Sequence, residues 1–159
     1  MFRVAGPIAV SPSFVGGGNG LFVSTANQTN PVALDTAIGT PVNMTNTNGV
    51  IKFTAAGVYQ IISELFYTST TGANPTISQW LTQNGSNIAN STQDFQLLGG
   101  ANTVQGQSCV WIITAALNDT FQVYWSTSNT NVSLTYQAAL TNPVRPASPS
   151  AVLAITRVG

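Results

Sequence analysis

The strongest constraint on this chain is the period of its apolar residues, which is two and nowhere 3.6. Residues 58–67 show it best. Tyr59, Ile61, Ser63, Leu65 and Tyr67 share one face, and Val58, Gln60, Ile62, Glu64 and Phe66 share the other. Successive side chains of a strand point to opposite faces, so the segment is extended. Apolar groups on both faces imply that it is covered on both sides. Residues 77–83 set Ile77, Gln79, Leu81 and Gln83 against Ser78, Trp80 and Thr82. Asn84-Gly85 then forms the dipeptide best suited to a tight hairpin, because both central residues must take positive φ; Ile88 onward is the return. Residues 107–117 place Cys109, Trp111, Ile113 and Ala115 opposite Val110, Ile112 and Thr114, and residues 120–126 alternate Phe121, Val123 and Trp125 with Gln122 and Tyr124.

Residues 21–25, 49–54, 132–140 and 151–158 complete the strand set, with Val132, Leu134, Tyr136, Ala138 and Leu140 on one face. Residues 141–150, holding Pro143, Pro146 and Pro149, read as a loop. No helix is expected between the strands, and parallel neighbours would need long crossovers, so the strands pair antiparallel. The expected architecture is an all-β sandwich of Greek-key or jelly-roll type over residues 21–159. Residues 1–20 read as an extended arm. Pro7 and Pro12 oppose regular pairing and residues 16–20 are glycine-rich, yet Phe2, Val4, Ile8, Val10, Phe14 and Val15 suit docking better than solvation.

Composition removes most chemistry. Only 5% of the 159 residues are charged, against roughly 25% in an ordinary soluble domain. The formal net charge is zero, there is no histidine, and Cys109 is the single cysteine. These counts exclude an intrachain disulfide, a His/Cys zinc site and a His-based triad. Four basic residues cannot neutralise a run of phosphates, which excludes nucleic acid as a partner. No apolar stretch approaches a membrane span, and Gly6-Pro7 interrupts any signal-peptide core. Thr, Asn, Ser and Gln supply 60 residues, so solubility rests on neutral groups that re-pair easily across an interface. Such a surface has no self-repulsion and favours association with copies of itself. Six Asn-x-Ser/Thr sequons, at Asn27, Asn43, Asn84, Asn90, Asn118 and Asn131, are read as unmodified.

The remaining chemical candidates are few. Glu64 lies mid-strand, and Lys52 on a neighbouring strand is its expected partner. Asp35 and Asp94 sit among Asn, Thr and Gln and read as turn caps. Asp119 beside Asn118 reads as a turn; one carboxylate is thin provision for a calcium ion. Cys109 reads as a small buried hydrophobe. Trp80, Trp111 and Trp125 could stack on sugars, but their alternation points to core packing. No general base stands ready to activate the many hydroxyls, so no enzyme is expected and no cofactor.

Several segments occur in a recognisable order. Phe53-Thr54-Ala55-Ala56-Gly57-Val58-Tyr59 resembles the "F-x-x-x-G-x-Y" entry to the third strand of the C1q/TNF-like jelly roll. Leu81-Thr82-Gln83-Asn84-Gly85 is similar to that family's strand and "N-G" hairpin. The step from residues 111–117 into Asn118-Asp119-Thr120-Phe121 resembles its "L-x-x-G-D-x-V", with Asn118 where the family usually has glycine. Residues 151–159 resemble the family's closing strand. Their ending, Ala154-Ile155-Thr156-Arg157-Val158-Gly159, is similar to that of many viral and phage surface proteins. The resemblance covers about residues 40–159. It implies a homotrimer about a three-fold axis, with an inner sheet containing residues 58–67, 120–126 and 151–158. Tyr59, Ile61, Tyr124 and Ile155 become candidates for that axis, with burial in the monomer core as the alternative.

The expected function is therefore structural: a trimeric capsid decoration (cement) or surface subunit of a bacteriophage virion. Its partners would be itself and the major capsid protein or neighbouring capsid subunits, with no membrane. Phe2, Val4, Ile8, Val10 and Phe14 are the candidates for an arm ordered by docking on the capsid. The alternative is a receptor- or glycan-binding head of a tail fibre or spike. A secreted C1q-like recognition module is less favoured, for want of a signal peptide.

Overall fold

Alternating apolar residues between turn dipeptides leave the chain one economical solution, two sheets packed face to face. The computed structural model describes residues 25–159 and, for Ser13–Gly16, the backbone. In chain order the strands are β1 (Ser13–Gly16), β2 (Asn30–Pro31), β3 (Thr36–Ile38), β4 (Met44–Thr47), β5 (Val50–Phe53), β6 (Gly57–Ser69), β7 (Thr76–Gln83) and β8 (Ser86–Asn87). The second half adds β9 (Gln93–Gln96), β10 (Val104–Ala115), β11 (Thr120–Thr127), β12 (Val132–Leu134), β13 (Leu140–Thr141), β14 (Val144–Arg145) and β15 (Ala151–Arg157). One sheet runs β10-β6-β15-β1-β3, with β12 also on β6. The other runs β4-β5-β11-β7-β8, with β2 on β11 and β9 on β7. We call them the β6 sheet and the β11 sheet. Every pairing between strands is antiparallel, and no helix occurs among the described residues.

The inner faces meet in one core. Tyr59, Ile61, Leu65 and Tyr67 of β6, Cys109 and Trp111 of β10, and Leu153 and Ile155 of β15 come from one sheet. Phe53, Ile77, Leu81, Phe121, Val123 and Trp125 answer from the other. Two aromatic groups bridge the sandwich. Phe53 packs on Tyr59 at 4.2 Å between centroids and edge-on against Phe121 at 5.4 Å. Tyr67 meets Trp125 at 5.3 Å and Phe95 at 5.6 Å. Such pairs contribute about 0.5–1.5 kcal/mol beyond the area they bury. Gln79 links the two sheets across the same interior: it accepts from Ser63 Oγ at 2.8 Å, both residues being buried, and donates Nε2 to the Gln107 carbonyl at 3.4 Å.

The structure revises several expectations. Residues 120–127 belong to the β11 sheet, so the expected inner sheet, which grouped them with residues 58–67 and 151–158, is not the one that forms. Both β6 and β11 offer two usable faces, and alternation cannot say which neighbours they take. Glu64 and Lys52 sit in opposite sheets, Glu64 facing away from the core on β6 and Lys52 exposed on β5, which separates the expected pair. Asp94 lies in strand β9, opposite Ser78, instead of in a loop. The strand expected over residues 132–140 stops at Leu134, and part of the expected loop over residues 141–150 is the hairpin β13–β14. Ser13–Gly16, taken as arm, pairs with β15 on one side and β3 on the other. The strand expected over residues 21–25 lies, but for Thr25, outside the described residues. So do Phe2, Val4, Ile8 and Val10 of the arm, and the side chain of Phe14.

Candidate functional site

The expected axis residues separate into two groups. Tyr59, Ile61 and Ile155 lie inside the sandwich, at most 1% exposed, so a single chain already covers them. Tyr59 also donates its hydroxyl to the Ala55 carbonyl at 2.8 Å. Tyr124 lies on the outward face of the β11 sheet, where β11 pairs it with Trp80 and, on the other side, with Pro31.

The exposed apolar surface is on the opposite side of the molecule. β10 is an edge strand, and register carries one row across it: Val110 opposite Ile62, and Ile62 opposite Ala154. A second row sets Ile112 opposite Gln60 and Gln60 opposite Thr156. All face outward, because their neighbours Trp111, Ile61 and Ile155 face the core. Ile112 is 69% exposed, Val110 48% and Ile62 36%. Glu64 is the only ionisable residue among the outward positions of β6, β10 and β15. Sequence reasoning had already found β6 apolar on both faces and therefore covered on both. The single chain covers only one. Sequence reasoning passed over Val110 and Ile112 because Cys109, Trp111 and Ile113 make an equally apolar alternative face.

Elsewhere the chemistry is structural. Asp119 accepts from Gln83 Nε2, Asn84 Nδ2 and the Ala116 N–H, each at 2.8 Å. These donors, Asn84 foremost, hold its carboxyl below the ordinary carboxylate range. An oxygen set turned toward N–H donors suits a turn and not a cation. Asn118 takes φ of 72°, which explains how asparagine serves where the C1q/TNF-like motif it resembles has glycine. Cys109 is buried, and desolvation raises its thiol to about 11, so it is held as the unreactive acid. Among the described residues, no three His, Cys, Asp or Glu side chains gather to hold a metal.

The tryptophans divide. Trp111 is buried and donates Nε1 to the Ser91 carbonyl at 2.7 Å, and Trp125 is buried against Tyr67. Trp80, expected in the core, lies instead on the outward face of the β11 sheet, because its strand turns Ile77, Gln79 and Leu81 inward.

No family model matches this sequence, and no curated protein matches it. Comparison of the whole fold with solved structures does find similar folds. Murine APRIL at pH 5.0 superposes with a TM-score of 0.58 at 12% identity, covering 93% of this chain and 98% of that one. Eiger TNF from S. frugiperda gives 0.56 at 14% identity, covering 96% and 94%. The globular domain of zebrafish complement 1qA gives 0.55 at 11%, covering 95% and 98%. The fold is a C1q/TNF-like jelly roll. In this jelly roll the β6 sheet presents the exposed apolar face, and the β11 sheet presents Trp80 and Tyr124.

Proposed function

We propose that this chain is a non-catalytic structural subunit that works as a homotrimer. The outward face of its β6 sheet meets a second copy. One observation carries this reading: Val110, Ile112 and Ile62 form an exposed apolar patch with a single ionisable neighbour, on a strand apolar on both faces. Contiguous apolar surface left in water marks an interface, and buried apolar area contributes about 25 cal/mol per Å². The three-fold arrangement is what the C1q/TNF-like resemblance implies. In its more specific form, the trimer is a decoration or surface subunit at the exterior of a virion, held on the major capsid protein by the segment that precedes β1, residues 1–12. The support is the phage-like ending at residues 154–159, the sparsely charged, amide-rich composition and the apolar arm.

Sedimentation equilibrium of the full chain tests the first part. A mass three times 16.6 kDa is expected, and a monomer at micromolar concentration would reject it. Ile112→Asp should dissociate the trimer while leaving the circular dichroism of a β-sandwich. For the virion reading, a variant lacking residues 1–12, which leaves β1 in place, should remain trimeric and lose binding to capsids; undiminished capsid binding would reject the arm's role.

A further inference from the structure

A second surface, on the far sheet from the proposed interface, has the chemistry of a binding site. Trp80 and Tyr124 are cross-strand partners on the outward face of β7 and β11. Their rings are nearly parallel, 20° apart with centroids separated by 6.0 Å. The indole is pinned, because Nε1 donates to Asn87 Oδ1 at 3.0 Å across the β7–β8 hairpin. Beside it opens a cavity of about 280 Å³ lined by Ser78, Trp80, Asn87, Ile88, Thr92 and Ser126. Register places Asp94 directly opposite Ser78, at its rim.

We propose that this cavity binds a neutral saccharide, one sugar ring lying against Trp80. A sugar presents C–H groups on its ring face and hydroxyls around its edge. An immobilised indole meets the first, and the hydroxyls of Ser78, Ser126 and Thr92 with the Asn87 amide meet the second. Asn87 keeps its Nδ2 donor for a ligand, since its Oδ1 is engaged by Trp80. No cation is among the residues that line the cavity, and Asp94, opposite the lining residue Ser78, sets beside it a carboxylate, which accepts from hydroxyls and repels anions. Acidic sugars and phosphates are therefore disfavoured. A peptide added as a strand is disfavoured too, because β2, β8 and β9 already occupy the flanking edges of β11 and β7. The proposal is independent of the trimer, which uses the other sheet.

The test is an array of neutral and acidic glycans probed with the full chain, followed by titration of the bound saccharide observed by NMR. The chain has three indole N–H signals. That of Trp80 should shift on titration, while those of Trp111 and Trp125, buried in the core, should stay. Trp80→Ala should weaken binding by about tenfold or more, with Trp80→Phe retaining part of it. Binding confined to sialylated or sulfated glycans, a shift at Trp111 or Trp125 alone, or no response to any neutral saccharide up to about 10 mM would each overturn the proposal. The readout does not depend on oligomeric state, so loss of the trimer and loss of the sugar site are distinguishable.

Discussion

Asparagine is the residue that makes this fold's turns. Seven non-glycine residues have positive φ among the described ones, and all seven are asparagine: Asn27, Asn43, Asn48, Asn84, Asn90, Asn102 and Asn118. Its short amide tolerates the left-handed region, where a Cβ usually costs about 1–2 kcal/mol. Five of these also head sequons, which accounts for the sequons as turn chemistry. Glycine is required more strictly at one site. Gly49 has φ of 91°, and a Cβ there would lie 2.0 Å from the Val32 carbonyl oxygen. Gly85 has φ of 80° with nothing within 4 Å. Denaturant unfolding should therefore show Gly85→Ala costing about 1–2 kcal/mol and Gly49→Ala clearly more, since only the second adds a backbone collision to the strain. Cys109 supplies a pH prediction. Its thiol ionises near 9.0 when unfolded but near 11 in the folded chain. A raised folded value gives stability that is complete below the unfolded pKa and declines as pH rises through the window between the two. Stability should fall from pH 9.0 toward 11, less steeply in Cys109→Ala, and an aromatic disulfide reagent should label the thiol only at the rate of unfolding.

At the scale of elements, two turns far apart in sequence are tied into one corner. Asn84 and Gly85, both at positive φ, turn β7 into β8, with Gln83 opposite Ser86. Asp119, at the start of β11, binds the side chains of Gln83 and Asn84 and the backbone of Ala116. Asn84 Oδ1 in return accepts from the Thr120 N–H at 2.9 Å. The depressed Asp119 pKa means a contribution present above the unfolded value of 3.8 and lost as pH falls through the lower folded value. Thermal midpoints measured from pH 5 downward should drop more for the parent chain than for Asp119→Asn; equal slopes would show that the corner is not linked to proton uptake. Inside the sandwich, Gln79 occupies an apolar position of β7, yet it accepts from Ser63 and reaches the Gln107 carbonyl at 3.4 Å. Gln79→Leu should cost about 1–3 kcal/mol in denaturant unfolding, because it strands buried polar partners without changing the register.

For the whole molecule, the distribution of charge decides behaviour. An interface built from Val110, Ile112 and Ile62 has almost no ions to screen, so its strength should be nearly independent of salt. Sedimentation at about 0.05 M and about 1 M NaCl should give the same mass. A trimer that dissociates with added salt would place the interface on a charged surface instead. Unfolding midpoints should rise with protein concentration, as they do when association stabilises the folded state.

How much of this was legible beforehand follows from the symmetry of a strand. Local sequence sets the period, so the long strands over residues 58–67, 77–83, 107–117, 120–126 and 151–158 could be read from alternation and their turns from Asn84-Gly85 and Asn118-Asp119. Alternation, however, is unchanged when the two faces are exchanged. On β10, Trp111 and Ile112 are equally apolar, and only the packing of β10 on β6 turns Trp111 inward and leaves Ile112 in water. Membership of a sheet is likewise set by contacts between distant segments. Trp80 reads as core in the sequence, and the structure turns it outward while burying Gln79 with Ile77 and Leu81, because β7 joins β11 in that register. What the amino acids settled by themselves was a sparsely charged, all-strand chain of zero net charge; which apolar face it shows to the outside was settled by long-range pairing, because no local rule distinguishes the two.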